Sequence, residues 1–459
     1  MVKKSGQIVD SDRLMVKDVS NHLTMSNFDK LRDFRHKAYT LIGNGKDALF
    51  DLMDAVLVSR SIYSFAELSL SPVFRRQWPS LYEALQDSNP PRTELLQLYV
   101  EEISQEEPIV LAGDHTAWSR LQAVTLQERT YEHQATPMSG ARPVTIGQGY
   151  STIAWIPFGQ GSWALPLLHE RITSAESPIE KAVNQLRQVC QKLTTRPLSL
   201  WDAEYGCAPF LKQTADIACD KLIRLRSNRV LYGPPPAYSG TGRPRRHGEK
   251  FKLNDSTTWW QADEEIEVEN AKLGRLQLRV WHSLHLRQAA MHPVSLIQLQ
   301  RRNTSSHSTP KPLWLIWIGL APPSLSTVWL HYLRRFAIDH WYRFAKQRLH
   351  WTLPQLATPE QSERWSDLMP LLTWQLWLAR PEIQDSPLPW QKSSPDLSPG
   401  RTANAFAQVL ALIGTPAPAP KPRGKSPGWT PGQPRSRRIR YPIVKKRFTK
   451  PKRTAQKSA

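Results

Sequence analysis

Two short apolar runs in this chain each break off at an aspartate, and this repeated device limits the fold more than any bulk property does. The first lies in "PIVLAGDHTAW", residues 108–118, where residues 109–112 are bounded by proline on one side and Gly-Asp on the other. The second is "PLSLWDAEYG", which ends its run on Asp202. Four or so apolar residues between turn-forming neighbours read as a buried strand. Burial alone gives a strand no use for a carboxylate. Alone, Asp114 could simply cap the turn that follows it. Two strands delivering carboxylates at their ends are what a divalent-metal site uses, because hard cations prefer carboxylate oxygens. A pair of metals roughly 3.5 to 4 Å apart across a phosphate needs a third carboxylate, and Asp339 is the candidate.

The rest of the chain divides by pattern. From about residue 20 to 105 it reads as helical: Phe28, Leu31, Phe34, Ala38 and Leu41 recur at helical spacing, "GNG" interrupts, and Leu49, Leu52, Met53 and Val56 resume. Strand-like runs follow, and Gly147, Gly149, Gly159 and Gly161 are expected to mark tight turns between antiparallel strands. "SPIEKAVNQLRQVCQKLT" is a helix with Ile179, Val183 and Leu186 on one face. "LIRLRSNRVLYG" and "LQLRVWHSLHLR" read as strands in a more polar stretch. Helix returns at "STVWLHYLRRFAIDHWYRFAKQRLHW".

The 459 residues carry 61 Lys and Arg against 40 Asp and Glu, a formal charge of +21, which points to a polyanionic partner, nucleic acid first. No stretch approaches the roughly 18 continuous apolar residues of a spanning helix, so no membrane partner is expected. The opening "MVKKSGQIVDSDRL" lacks the apolar core of a secretory signal, and the chain is expected to stay where it is made. Cys190, Cys207 and Cys219 match neither a zinc site nor a disulfide framework and read as reduced thiols. Fourteen of the cations lie between Lys421 and Lys457, with no acid among them. This Pro-rich, basic stretch predicts an extended, disordered arm that contacts DNA through Arg435, Arg437, Arg438, Lys445, Lys446 and Arg447.

"AGDHTAW", "RTYEH", "VTIGQGYS", "LWDAEYG", "GRPRRHGEKFKL" and "RRFAIDHWYRFAKQRLHW", in this order, resemble the insertion-sequence transposases of the DDE superfamily, and the likeness covers most of the chain. The resemblance implies an α/β fold: a ribonuclease H-like core, a mixed central sheet flanked by helices, interrupted by a strand-rich insertion before its last catalytic helix. On that reading residues 1–105 form an N-terminal helical domain, a candidate for DNA-end recognition. Residues 106–212 and 313–380 form the two parts of the core, around an insertion at 213–312. A C-terminal helical segment, 381–415, and a basic tail, 416–459, complete the chain.

The resemblance further implies that Asp114, Asp202 and Asp339 are the catalytic metal ligands, holding two Mg²⁺ ions or Mn²⁺ in their place. The family usually has glutamate at the third position, and Asp339 is one methylene shorter. The implied reaction is cleavage of double-stranded DNA at the element ends and joining of the freed 3′-hydroxyl to target DNA, by a homodimer in a bacterial cytoplasm. Two other readings compete: a DNA-binding protein of this fold that has lost strand transfer, and a structure-selective nuclease of the same fold.

Supporting residues are read more openly. Glu204, two positions beyond Asp202, would point the same way if the strand continued, and serves either the metal site or an ordinary ion pair. Arg343 and Lys346, about one and two turns beyond Asp339, could face the site. Arg335 and Arg343 flank Asp339 at four-residue spacing, so plain helical ion pairs would also account for that aspartate. His115 and His340 sit beside proposed ligands but read as structural. His282 and His285, three apart on a strand, face opposite sides and make no zinc pair. Arg243, Arg245, Arg246 and His247 in "GTGRPRRHG" could grip a DNA backbone. Trp259 and Trp260 are candidates to stack on an unpaired base.

Overall fold

A computed structural model describes residues 28–446, apart from 105–106, 134–142, 160, 272, 303–310, 321–323, 386, 388, 423–427, 429 and 435–436. The strands join in one mixed sheet. Its first half holds β1 (Val110–Ser119), β2 (Thr130–His133), β3 (Val144–Trp155), β4 (Leu165–Ile172), β5 (Leu198–Trp201) and β6 (Asp220–Leu225). β3 pairs antiparallel with β1, β2 and β4, while β5 and β6 run parallel to β1. A crossover helix, α5 (Pro178–Lys192), takes the chain from β4 past β3 and β1 to β5, which runs parallel to β1. α5 forms where the sequence provides a complete start signal: Ser177 caps the backbone of Glu180, Glu180 returns the bond, and Pro178 occupies the first turn.

The strand-rich segment continues this sheet. β12 (Leu313–Ile318) pairs with β6, β11 (Val294–Arg302) with β12, and β10 (Gly274–Leu286) with β11. β9 (Glu264–Asn270) and the short β7 (Val230–Tyr232) both pair with β10, and β8 (Lys250–Lys252) with β7. The parallel layer therefore reaches Leu225 before the antiparallel extension begins. Around the sheet lie α1 (28–42), α2 (Lys46–Val58), α3 (Pro79–Asp87), α4 (Arg92–Glu101), the short α6 (Ala208–Gln213), α7 (Val328–Arg334), α8 (Phe336–Gln347), α9 (Pro359–Ala379) and α10 (Pro399–Ile413). The result is a large mixed sheet flanked by helices, consistent with the ribonuclease H-like core the resemblance implies.

The glycine reading needs correction. Gly159 and Gly161 do turn the chain, at φ of 67° and 58°. Gly147 and Gly149, however, lie inside β3, which is one uninterrupted strand. They are required by close approach: a Cβ at Gly147 would overlap the Trp118 carbonyl, and one at Gly149 would come within 2.6 Å of Glu132 Oε2. Likewise the basic stretch is not an unstructured arm over residues 437–446. Val444 forms a parallel bridge to Thr130 on the outer edge of β2. An unpaired strand edge has free backbone groups, and even a segment without helix or strand propensity can satisfy them.

His169, on β4, is buried against Tyr150, Trp341 and Trp351, with Thr152 Oγ1 2.8 Å from its Nδ1. Burial pushes its pKa down to about 3, with Lys346 and Arg92 adding to the shift. The unfolded chain takes up this proton near pH 6.5 and the folded chain only near 3, so stability falls as the pH drops between those values. The expected slope is about 1.4 kcal/mol per pH unit from this residue. Urea denaturation between pH 7 and 4 checks it: His169→Gln should lose that slope, and a parallel pH profile for the variant would refute the assignment.

Candidate active site

The register of the parallel strands brings the first two aspartates together. Gly113 lies opposite Trp201, the last residue of β5, so Asp114 and Asp202 are the next residue along each neighbouring strand path. Gly113 is needed there because a Cβ would overlap the Trp201 indole. β1 does not end at Asp114, as the sequence suggests, but continues to Ser119. Asp114 is exposed to the cleft because its parallel partner β5 stops one residue earlier. Asp114 Oδ1 accepts the His115 N–H at 2.8 Å, and Asp202 Oδ1 accepts the Glu204 N–H at 2.9 Å in a tight turn. That turn, rather than a continued strand, carries Glu204, whose Oε2 lies 3.8 Å from His115 Nε2.

Helix α8 supplies the third carboxylate, Asp339, with Arg343 and Lys346, and Arg335 immediately precedes it. Asp114, Asp202, Asp339 and Glu204 all line one cleft of about 990 Å³, together with Arg226, Arg229, Arg335, Arg343 and Lys346. Arg335 sits between two of the carboxylates: its Nη1 is 3.3 Å from Asp114 Oδ2 and its Nη2 is 3.2 Å from Asp339 Oδ2. The helical ion pair read from the sequence is therefore present for Arg335, and it reaches a second aspartate as well. Tyr342 donates its hydroxyl to the Asp114 carbonyl at 2.9 Å, and Lys346 Nζ donates to Thr116 Oγ1 at 2.7 Å. These two bonds fix α8 against β1.

The electrostatics follow from crowding. The Asp114 pKa is raised to about 6, by burial above all; Arg335 and His115 oppose the shift, and Asp202 and Asp339 contribute to it. Burial lowers Lys346 to about 8. The donor set suits a hard divalent cation, since the carboxylates of one cleft offer only oxygen. As they stand, no group of three or more His, Cys, Asp or Glu among the described residues is close enough to hold a metal ion. Arg335 supplies the counter-charge between Asp114 and Asp339.

Other sequence-predicted residues lie apart from this cleft. Arg243, Arg245 and Arg246 are exposed in the loop between β7 and β8. His247 is not free to join them: its Nδ1 lies 2.9 Å from His285 Nε2, and Tyr232 packs on both rings. His282 meets Ser295 and Glu264, whereas His285 meets His247. Trp259 and Trp260 pack into an aromatic cluster with Phe251, Trp281 and Trp314, and the Trp259 indole N–H bonds the Lys252 carbonyl at 2.7 Å. Packing on that cluster, rather than on a base, accounts for both.

His340 is exposed. Arg437, Arg438 and Lys445 are exposed, whereas Lys446 is turned inward; Arg435 and Arg447 lie outside the described residues. Sequence reasoning missed Arg226 and Arg229 at the cleft. The signal was available, because "RSNR" follows directly on β6, the strand beside β5.

The sequence profile of a family described as DDE superfamily endonuclease matches residues 40–284, more than half of the chain. That span contains Asp114 and Asp202, and Asp339 lies beyond it. No curated protein matches the chain significantly.

Proposed function

Because the chain belongs to the DDE superfamily of endonucleases, we propose that it cuts double-stranded DNA at the ends of an insertion sequence and joins those ends to target DNA. One observation carries the reading: Asp114, Asp202 and Asp339, far apart in sequence, line one cleft among five basic side chains. Mg²⁺, or Mn²⁺ in its place, would be held by these three aspartates and would supply Lewis-acid stabilisation of a phosphodiester under attack.

The chain's own residues do the rest. Arg343, exposed on α8, and Arg226 and Arg229, which follow β6, give the phosphates a cationic lining. Arg335 balances the carboxylates and keeps Asp114 and Asp339 oriented toward the cleft. Tyr342 and Lys346 hold α8 in register with β1, so the Asp339 side chain is delivered to the same place as the other two. Two element ends must be held at once, which calls for a second copy of the chain, acting on DNA in a bacterial cytoplasm.

The test is cleavage of labelled DNA carrying the native element ends with Mg²⁺ or Mn²⁺, in competition with branched DNA and an RNA–DNA hybrid. Cuts confined to the element ends support the transposase reading. Preferential cutting of the branched or hybrid substrate would replace it with a structure-selective nuclease.

A further inference from the structure

The outer edge of β2 is covered by the chain's own basic segment, and the contacts are specific. The Tyr441 N–H donates to the Val124 carbonyl at 2.9 Å and the Val444 N–H to the Arg129 carbonyl at 2.8 Å. Arg129, itself buried, returns a bond from Nη2 to the Tyr441 carbonyl at 3.2 Å. Lys446 then closes the contact: its Nζ lies 2.7 Å from Glu132 Oε1, with 8% and 4% of the two side chains exposed. Such a pair has left water on both sides and holds its geometry, unlike a surface ion pair.

We propose that residues 437–446 form a fixed rail for the phosphate backbone of DNA, anchored by the Lys446–Glu132 pair. The rail's other cations, Arg437, Arg438, Arg440 and Lys445, are all exposed. Its direction is parallel to β2, and β2 ends at His133, which lines the cleft that holds the aspartates. A row of cations anchored beside the cleft matches a duplex that continues out of it, with one phosphate for each cation that reaches the backbone. Glu132 is a positioning residue in this arrangement: it touches no DNA and acts through Lys446. The inference rests on the reading that the cleft takes double-stranded DNA.

The probe is a 30-base-pair duplex, with affinity measured by fluorescence anisotropy across a salt series. Replacing Arg437, Arg438, Arg440 and Lys445 by serine should flatten the log–log salt slope by up to about 3.6, at roughly 0.9 per lost phosphate contact. Glu132→Gln separates a rail from a free basic tail. It frees Lys446 and adds a net positive charge, so a free tail would bind with an unchanged or steeper slope. A rail instead loses its anchor, and the slope becomes shallower. Hydrogen exchange at the Tyr441 and Val444 amides reports the anchor directly: slow in the unaltered chain, fast in the variant.

Should Glu132→Gln fail to fold, Val444→Pro breaks the rail's other attachment, the Val444 N–H to the Arg129 carbonyl, with no change of charge, and the same shallower slope is expected. An unchanged or steeper slope in these variants overturns the rail alone. No binding of the duplex by the unaltered chain overturns the DNA reading of the cleft as well.

Discussion

Alanine at Asp114 or at Asp202 is expected to lower Mg²⁺-dependent cleavage of DNA bearing the element ends by about 10³-fold or more, with binding of the same DNA retained. Each change removes one of the two carboxylates that the β1–β5 register sets side by side. Loss of several kcal/mol of charge stabilisation, on the order of 4, corresponds to that factor. End-labelled cleavage assays read the rate, and mobility shifts of the same DNA read binding. The Asp339 pair of variants completes the series. Asp339→Ala should be as inactive as the others. If the natural chain is inert with Mg²⁺ and Mn²⁺ while Asp339→Glu cuts, the protein is a DNA-binding relative that has lost strand transfer. If Asp339→Ala cuts normally, Glu204, on the same cleft, becomes the third carboxylate.

Arg335→Ala should cost about 3 kcal/mol of stability at pH 8, the usual scale for removing one partner of a buried pair. Only 8% of the Arg335 side chain is exposed, and it bridges Asp114 and Asp339. The cost should shrink at pH 5, and the sign follows from Asp114. Its folded pKa is already raised to about 6 with Arg335 beside it. Without that guanidinium the pKa rises further, while in the unfolded chain it stays near 3.9. A raised folded pKa gives stability that is present at low pH and lost as the pH rises through the folded value. The neutral acid therefore tolerates the lost partner, and the carboxylate does not. Urea denaturation at pH 5 and pH 8 makes the comparison. An equal loss at both would show that Arg335 contributes packing rather than charge.

The candidate site was legible in part. Asp114 and Asp202 stood out because buried strands rarely finish on a charge, and the helical position of Asp339 followed from the resemblance. Arg335 was legible only as half of a local ion pair, since four-residue spacing on a helix specifies Asp339 but says nothing of β1. Glu204 was misplaced because nothing local distinguishes a continued strand from the turn that Asp202 closes on the Glu204 N–H. His247 was read with its basic neighbours, yet its partner is His285, 38 residues on and across a strand pairing. Trp259 and Trp260 belong to a cluster drawn from Phe251, Trp281 and Trp314, which no window of sequence contains.

Local chemistry decided what is local. Apolar period and capping residues determined that helices precede and follow the strands, as Ser177, Pro178 and Glu180 did for α5. Charge composition pointed to a polyanion. Tertiary structure alone decided which strand lies beside which, and hence that β5 stops one residue short of Asp114 and opens a cleft there. It also decided that Gly147 and Gly149 serve close approach rather than turns, and that Lys446 is spent on Glu132 rather than left for solvent. The physical reason is common to all three. Strand pairing, steric clearance and buried ion pairs depend on partners distant in sequence, and local propensity carries no term for them.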